Sequence, residues 1–189
     1  MPKEAQDAAA NNNGNYSFGP AALATSQAQS YLRDNSGVMI LLMATDTGDR
    51  LPNPGNSRNP RKTKYMDLRQ ADNVTDSGLG PDGVYRDPWG NPYIISFDLD
   101  YDNKLSDALY GLVEVSQAGG DTDEPGFAGH VYNQDTGLYE TKRGVMVWSL
   151  GPDGGYNVNA RALPQNSGAI PETPGARLEP NKDNVTNLQ

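Results

Sequence analysis

A mixed fold, with one short helix, a few strands and long loops around a small core, is expected from three stretches of this sequence. From Tyr93 to Leu99, β-branched and aromatic residues alternate, placing Tyr93, Ile95, Phe97 and Leu99 on one strand face and Ile94, Ser96 and Asp98 on the other. Val145 to Leu150, VMVWSL, is apolar on both faces and reads as a central strand. Asn35-Ser36 offers a helix N-cap ahead of Val38, Met39, Leu41, Leu42 and Met43, a buried helix that ends before Gly48.

The first strand is entered through a turn. Asp87-Pro88 and Asn91-Pro92 each force an extended residue before the proline, and Gly90 can take a positive φ, so Trp89 is held on a tight bend. Trp89 and Trp148 are both expected to be structural, covering a small core. Beyond the strand, Asp98, Asp100 and Asp102 would stack three carboxylates on one face, which demands a cation or a change of direction. D-x-D-x-D followed by Asn103 matches the first half of an EF-hand-type calcium loop. Position nine would be Ser106. Position twelve is Leu109, so Asp107 would have to replace the bidentate glutamate. A solvated acidic loop remains the alternative.

Composition narrows the classes. The 189 residues suffice for one core, and 35% hydrophobic content with 21 Gly and 14 Pro points to a modest core under turn-rich loops. A formal charge of -9 argues against nucleic acid or an anionic membrane as partner and suits divalent cations. Without cysteine there is no thiolate catalysis or zinc–thiolate site, and the single His130 rules out a histidine-rich metal site. His130 has no motif partner and is expected to be a surface or satisfied residue. The longest apolar run, Val38 to Ala44, falls far short of the ~20 residues that span a bilayer, so the chain is expected to be soluble.

The remaining stretches are mostly loop by composition. Residues 1–34 form an expected irregular segment, and 35–189 an expected globular unit. Leu51 to Pro60, with three prolines, a glycine and three asparagines, reads as a surface loop. The basic cluster Arg58, Arg61, Lys62 and Lys64 is either a solvated turn or a contact for phosphate or an acidic partner. Tyr65 to Leu68 should be extended, Gly119 to Gly129 an acidic loop, and Asn133 to Gly137 a hairpin turn between Val131-Tyr132 and Leu138-Tyr139. Leu79-Gly80-Pro81-Asp82-Gly83 returns as Leu150-Gly151-Pro152-Asp153-Gly154, and both are type I turn candidates with Pro at i+1 and Asp at i+2. After Tyr156 periodicity is lost, and the proline-rich tail is expected to be irregular.

Three motifs together resemble the pilin-like proteins of type II secretion, in particular the major, G-type pseudopilins. They are Asp87-Pro88-Trp89-Gly90-Asn91-Pro92-Tyr93, then Val147-Trp148-Ser149-Leu150-Gly151-Pro152-Asp153-Gly154, then Asn181-Lys182-Asp183-Asn184-Val185. Asn59-Pro60-Arg61-Lys62-Thr63 is similar to a weaker stretch in some relatives. The resemblance spans roughly residues 35 to 188. It implies an α+β, pilin-like fold in which a helix packs on a small antiparallel sheet, and a bound calcium ion that orders the C-terminal loop. It implies no enzyme activity. By that analogy Asp153 and Asp183 supply side-chain ligands and the backbone near Leu150 supplies oxygens, with Asp98, Asp100, Asp102 and Asp107 as the alternative loop.

Members of that family begin with a short basic leader and a long apolar helix, and nothing of that kind precedes Asn35. The expectation is that the helix has been removed, with Met1 introduced or internal. The implied function is a structural subunit that polymerises with other pseudopilin subunits, anchored in the inner membrane with its folded part in the periplasm. Its partners would be the secretion machinery and further copies of itself. A secreted calcium-dependent binding module, using the Asp98 loop and exposed tyrosines, is the competing expectation. A hydrolase built on Asp98 and Asp102 is less well supported, because paired carboxylates without a pocket more often make a cation loop.

Overall fold

The computed structural model describes residues 14–19, 34–49, 52–117, 126–156 and 185–187. In chain order the elements are β1 (Asn15–Phe18), α1 (Ser36–Leu42), β2 (Gly78–Leu79), β3 (Tyr85–Arg86), β4 (Ile94–Asp98), α2 (Val113–Ser116), β5 (Val131–Asn133), β6 (Leu138–Glu140), β7 (Val145–Ser149) and β8 (Val185–Thr186). A four-stranded antiparallel sheet runs in the order β1-β4-β7-β8, and β2-β3 and β5-β6 form two small ladders. Few helices and small antiparallel sheets make this a mixed architecture compatible with α+β.

Alternation along β4 separates two cores. Ile95 and Phe97 face Tyr16 and Phe18 of β1, Val147 of β7, and Val38, Met39, Leu42 and Met43 of the α1 segment. Ile94 faces the other way, with Met146 and Trp148 of β7, onto the 105–115 segment and Phe127. Burial on both sides places the sheet inside the molecule, and β4 is flanked by β1 and β7 as a central strand must be. The Ile95 face is covered by α1 and by Leu79, with Phe97, Leu99 and Val147 left half-buried.

Several expectations are corrected. Residues 1–34 are not irregular throughout, because Asn15–Phe18 is a fully buried strand in register with β4 (Tyr16 opposite Phe97, Phe18 opposite Ile95). Four residues carry too short a pattern to stand out from an Asn- and Ala-rich context. The tail likewise contributes β8, whose Val185 pairs with Ser149. Trp148 is fully buried as expected, but Trp89 is 49% exposed, since the bend that holds it turns it outward.

Residues 52–60 are anchored rather than free. Asn53, Asn56 and Asn59 are buried. The Asn53 amide donates to the Thr45 carbonyl (3.0 Å) and its oxygen accepts from the Arg58 N–H (3.1 Å). Asn59 donates to the carbonyls of Leu41 (3.0 Å) and Thr63 (2.8 Å), tying the loop to the end of α1. Asn35 does not cap α1 with its side chain. It is fully buried, donating to the carbonyls of Tyr85 and Tyr93 (both 2.8 Å) and accepting from the Tyr85 N–H (2.8 Å), while Asp34 accepts from the Ser36 N–H (3.0 Å).

Candidate functional site

At the end of β4 the chain reverses instead of extending the acidic ladder. Tyr101 and Asn103 take positive φ (63° and 62°). Asp98 holds the bend, its two oxygens accepting from the N–H groups of Tyr101 (2.8 Å) and Asn103 (2.9 Å). Asp102 accepts from the Lys104 N–H (2.8 Å). The bend gathers one carboxylate oxygen each from Asp98, Asp100 and Asp102 within 4.8 Å of one another, a group that could hold a metal ion. Oxygens on opposite sides of a calcium ion, each ~2.4 Å from it, are ~4.8 Å apart, so the spacing suits a shared hard cation. Desolvation, a hydrogen bond shared with Asp98 and the charges of Asp102 and Asp98 hold the Asp100 carboxyl above the ordinary carboxylate range. A divalent ion there would remove that repulsion.

Gly14 completes the surroundings. Its carbonyl accepts from the Leu99 N–H (2.8 Å), its φ is +80°, and a Cβ built on it would fall 2.1 Å from Asp100 Cγ. Only glycine lets the chain before β1 pass this close to the carboxylate. No sequence periodicity marks it, because the contact exists only through the β1–β4 pairing.

The second half of the calcium-loop pattern does not follow the first. Leu105 bridges to Thr141, and Ser106, Asp107 and Leu109 are buried. Asp107 is therefore withdrawn as a ligand of this loop. One of its oxygens accepts from the N–H groups of Leu109 (2.9 Å) and Tyr110 (3.0 Å), and the other from Trp148 Nε1–H (3.1 Å) and the Ser96 hydroxyl. Ser96 in turn shares a hydrogen bond with Ser17 (2.6 Å), so Asp107 closes a polar network between β1, β4 and β7.

The twin Gly-Pro-Asp-Gly turns both form. Gly83 N–H donates to the Gly80 carbonyl (2.8 Å) and Gly154 N–H to the Gly151 carbonyl (3.4 Å). Asp82 accepts from the Val84 N–H (3.2 Å), and Asp153 accepts from the Gly155 N–H (2.7 Å) in the same manner. Asp82 also pairs with Arg86 (2.6 Å), whose hydrogen bond holds the carboxyl below its ordinary value. Asp153 is exposed at the end of β7, past the buried Leu150. Asp183 lies outside the described residues, as do most of the tail and the 118–125 part of the acidic loop.

The turn before β4 meets the turn after β7. Asp87, buried, accepts from the N–H groups of Trp89 (2.9 Å) and Asn91 (2.8 Å), and Gly90 has φ +92° with its α-carbon against the Thr75 carbonyl. Asn91 then donates to the Gly151 carbonyl (2.7 Å). Two motifs sixty residues apart are thus one structural unit.

Of the two expectations for His130, surface or satisfied, the first does not hold, because the residue is fully buried, and the second holds at Nδ1 alone. Its Nδ1 bonds the Phe127 carbonyl, and Nε2 has no hydrogen-bond partner. In comparisons with known proteins, no family model matches this chain, and neither a curated protein nor a solved structure is significantly similar to it. Among the described residues, no helix is long and apolar enough to cross a membrane.

Proposed function

We propose that this chain is a structural, non-enzymatic subunit of a pilin-like filament, a pseudopilus of the type II secretion class, and that it binds calcium. The observation that carries the proposal is the Asn91–Gly151 hydrogen bond (2.7 Å), which joins the first two of the three stretches on which the resemblance rests. A pair of turns locked to each other and to neighbouring strands supplies a rigid end to the sheet, as a repeating subunit requires. Assembly with other pseudopilin subunits and an inner-membrane anchor belong to this proposal. Expression from the native gene start, followed by membrane fractionation, tests it: a membrane-associated, processed product is expected, and an unprocessed product that stays soluble would remove the pseudopilin reading.

For the ion, the gathered oxygens of Asp98, Asp100 and Asp102 favour the loop after β4. Asp153 with Asp183 is the alternative place. Calcium at millimolar concentration should raise the melting temperature of the chain, chelator should reverse it, and Asp102→Asn should abolish the response while Asp153→Asn preserves it. The opposite pattern moves the ion to the C-terminal loop, and indifference to both calcium and chelator eliminates it. One observation favours a secreted calcium-dependent binding module instead: Tyr101, inside the acidic loop, is 85% exposed. The fractionation experiment separates that reading from the first.

A further inference from the structure

The basic segment after α1 builds a cleft of about 350 Å³, lined by Leu41, Leu42, Arg58, Pro60, Arg61 and Tyr65, with Asn59 in its wall. Arg58, which lines the cleft, is half-buried, and its Nη1 is buried without a hydrogen-bond partner. The reason lies in the local hydrogen bonding. The carbonyl of Leu41 accepts from Ala44 N–H (3.2 Å) and the Asn59 amide, and the carbonyl of Leu42 accepts from Tyr65 N–H (2.8 Å). The Asn59 oxygen accepts from Thr63 N–H (3.1 Å). The Leu41 and Leu42 carbonyls and the Asn59 side-chain oxygen are thus engaged, and Arg58 Nη1 is left as an unmatched donor.

A buried guanidinium N–H without an acceptor is unfavourable unless an anion completes it. Lys64 is paired with Asp67, whereas Arg61 and Lys62 are exposed and add positive charge at the rim. Apart from Arg58, Asn59 and Arg61, the lining is aliphatic and aromatic. A dianionic phosphate would need several donors for its oxygens, and the cleft offers the half-buried Arg58 guanidinium with the exposed Arg61 at its edge; a carboxylate needs one fork and leaves room for an apolar body against Leu41, Leu42 and Tyr65.

The geometry points to a binding site for a carboxylate carried on an apolar group, with Arg58 as the charge partner. That chemistry is present both in a free aryl or alkyl acid and in an Asp or Glu flanked by an apolar residue on a peptide. Because the loop is pinned to α1 by Asn59, the site is formed before the ligand arrives.

Benzoate and its neutral counterpart, benzyl alcohol, titrated against the isotopically labelled chain, test this by backbone amide shifts. Saturable shifts are expected at Leu42, Arg58, Asn59 and Tyr65 with benzoate, weakened by salt and about tenfold or more by loss of the charge in benzyl alcohol. Arg58→Gln should weaken benzoate by a similar factor. A parallel titration with an amidated Phe-Asp peptide separates the sources: binding comparable to benzoate identifies a protein side chain, and much weaker binding a free acid. Equal binding of benzoate and benzyl alcohol, no shifts with benzoate, or a preference for inorganic phosphate would overturn the proposal. The benzoate and benzyl alcohol comparison uses the unaltered chain, so it decides even if Arg58→Gln fails to fold.

Discussion

At single positions, the burial of polar groups carries much of the specificity. Asp107 accepts from two backbone N–H groups, the Trp148 indole and the Ser96 hydroxyl, all in the core. Asp107→Ala would strand these donors and should cost about 3 kcal/mol or more, read from urea denaturation. Trp148→Ala should cost about 3–5 kcal/mol, but Trp89→Ala under about 1 kcal/mol, because only the first side chain fills a core site. Burial lowers the proton affinity of His130; the neighbouring charges act in opposite directions, Asp107 raising it and Arg143 lowering it. The unfolded imidazole takes a proton near pH ~6.5 and the folded one only below that, so the unfolded state binds more protons in between. Stability should therefore fall as pH drops below ~6.5, and melting curves of His130→Gln should show a shallower decline between pH 7 and 5.

Among the elements, α1 and β8 show how short segments are held. The α1 helix has seven residues, too few to be stable alone, and its attachment runs through the buried Asn35 amide to Tyr85 and Tyr93. Asn35→Ala removes all three bonds and should cost about 2–3 kcal/mol, with faster hydrogen exchange at the Tyr85 amide as its local signature. On the far side, β8 pairs with β7, and Asn187 continues the pairing by accepting from the Val147 N–H (3.0 Å). Without it, β7 would present an apolar, β-branched edge. Deletion of residues 185–189 should raise self-association, seen by light scattering on otherwise folded protein.

For the molecule as a whole, a sheet buried on both faces places its acidic loop at one end of β4, on a chain whose formal charge is -9. The raised Asp100 carboxyl keeps its proton in the fold above the ordinary value of 3.8. The folded state therefore binds more protons over that window, and stability without metal falls as pH rises through it. Asp100→Asn should raise the melting temperature of the metal-free chain at neutral pH and shrink the rise produced by calcium. An unchanged metal-free melting point would show that repulsion in this loop does not reach global stability.

Local pattern alone determined β4, β7, α1, the 131–140 hairpin and the twin Gly-Pro-Asp-Gly turns, because side-chain period and turn φ preferences act over a few neighbouring residues. The grouping of Asp98, Asp100 and Asp102 was legible for the same reason. Tertiary structure decided the rest. Two- and four-residue strands such as β8 and β1 have no period of their own and exist through their partners. Whether a buried polar group such as Asn35 or Asp107 finds a partner depends on chain far away in sequence: Asn15 meets the Ser106 N–H across 91 positions at 3.2 Å. The EF-hand-like spacing failed beyond Asn103 on that account, since burying Leu105 and Leu109 drew Asp107 into the core, where donors from β4 and β7 fixed its role.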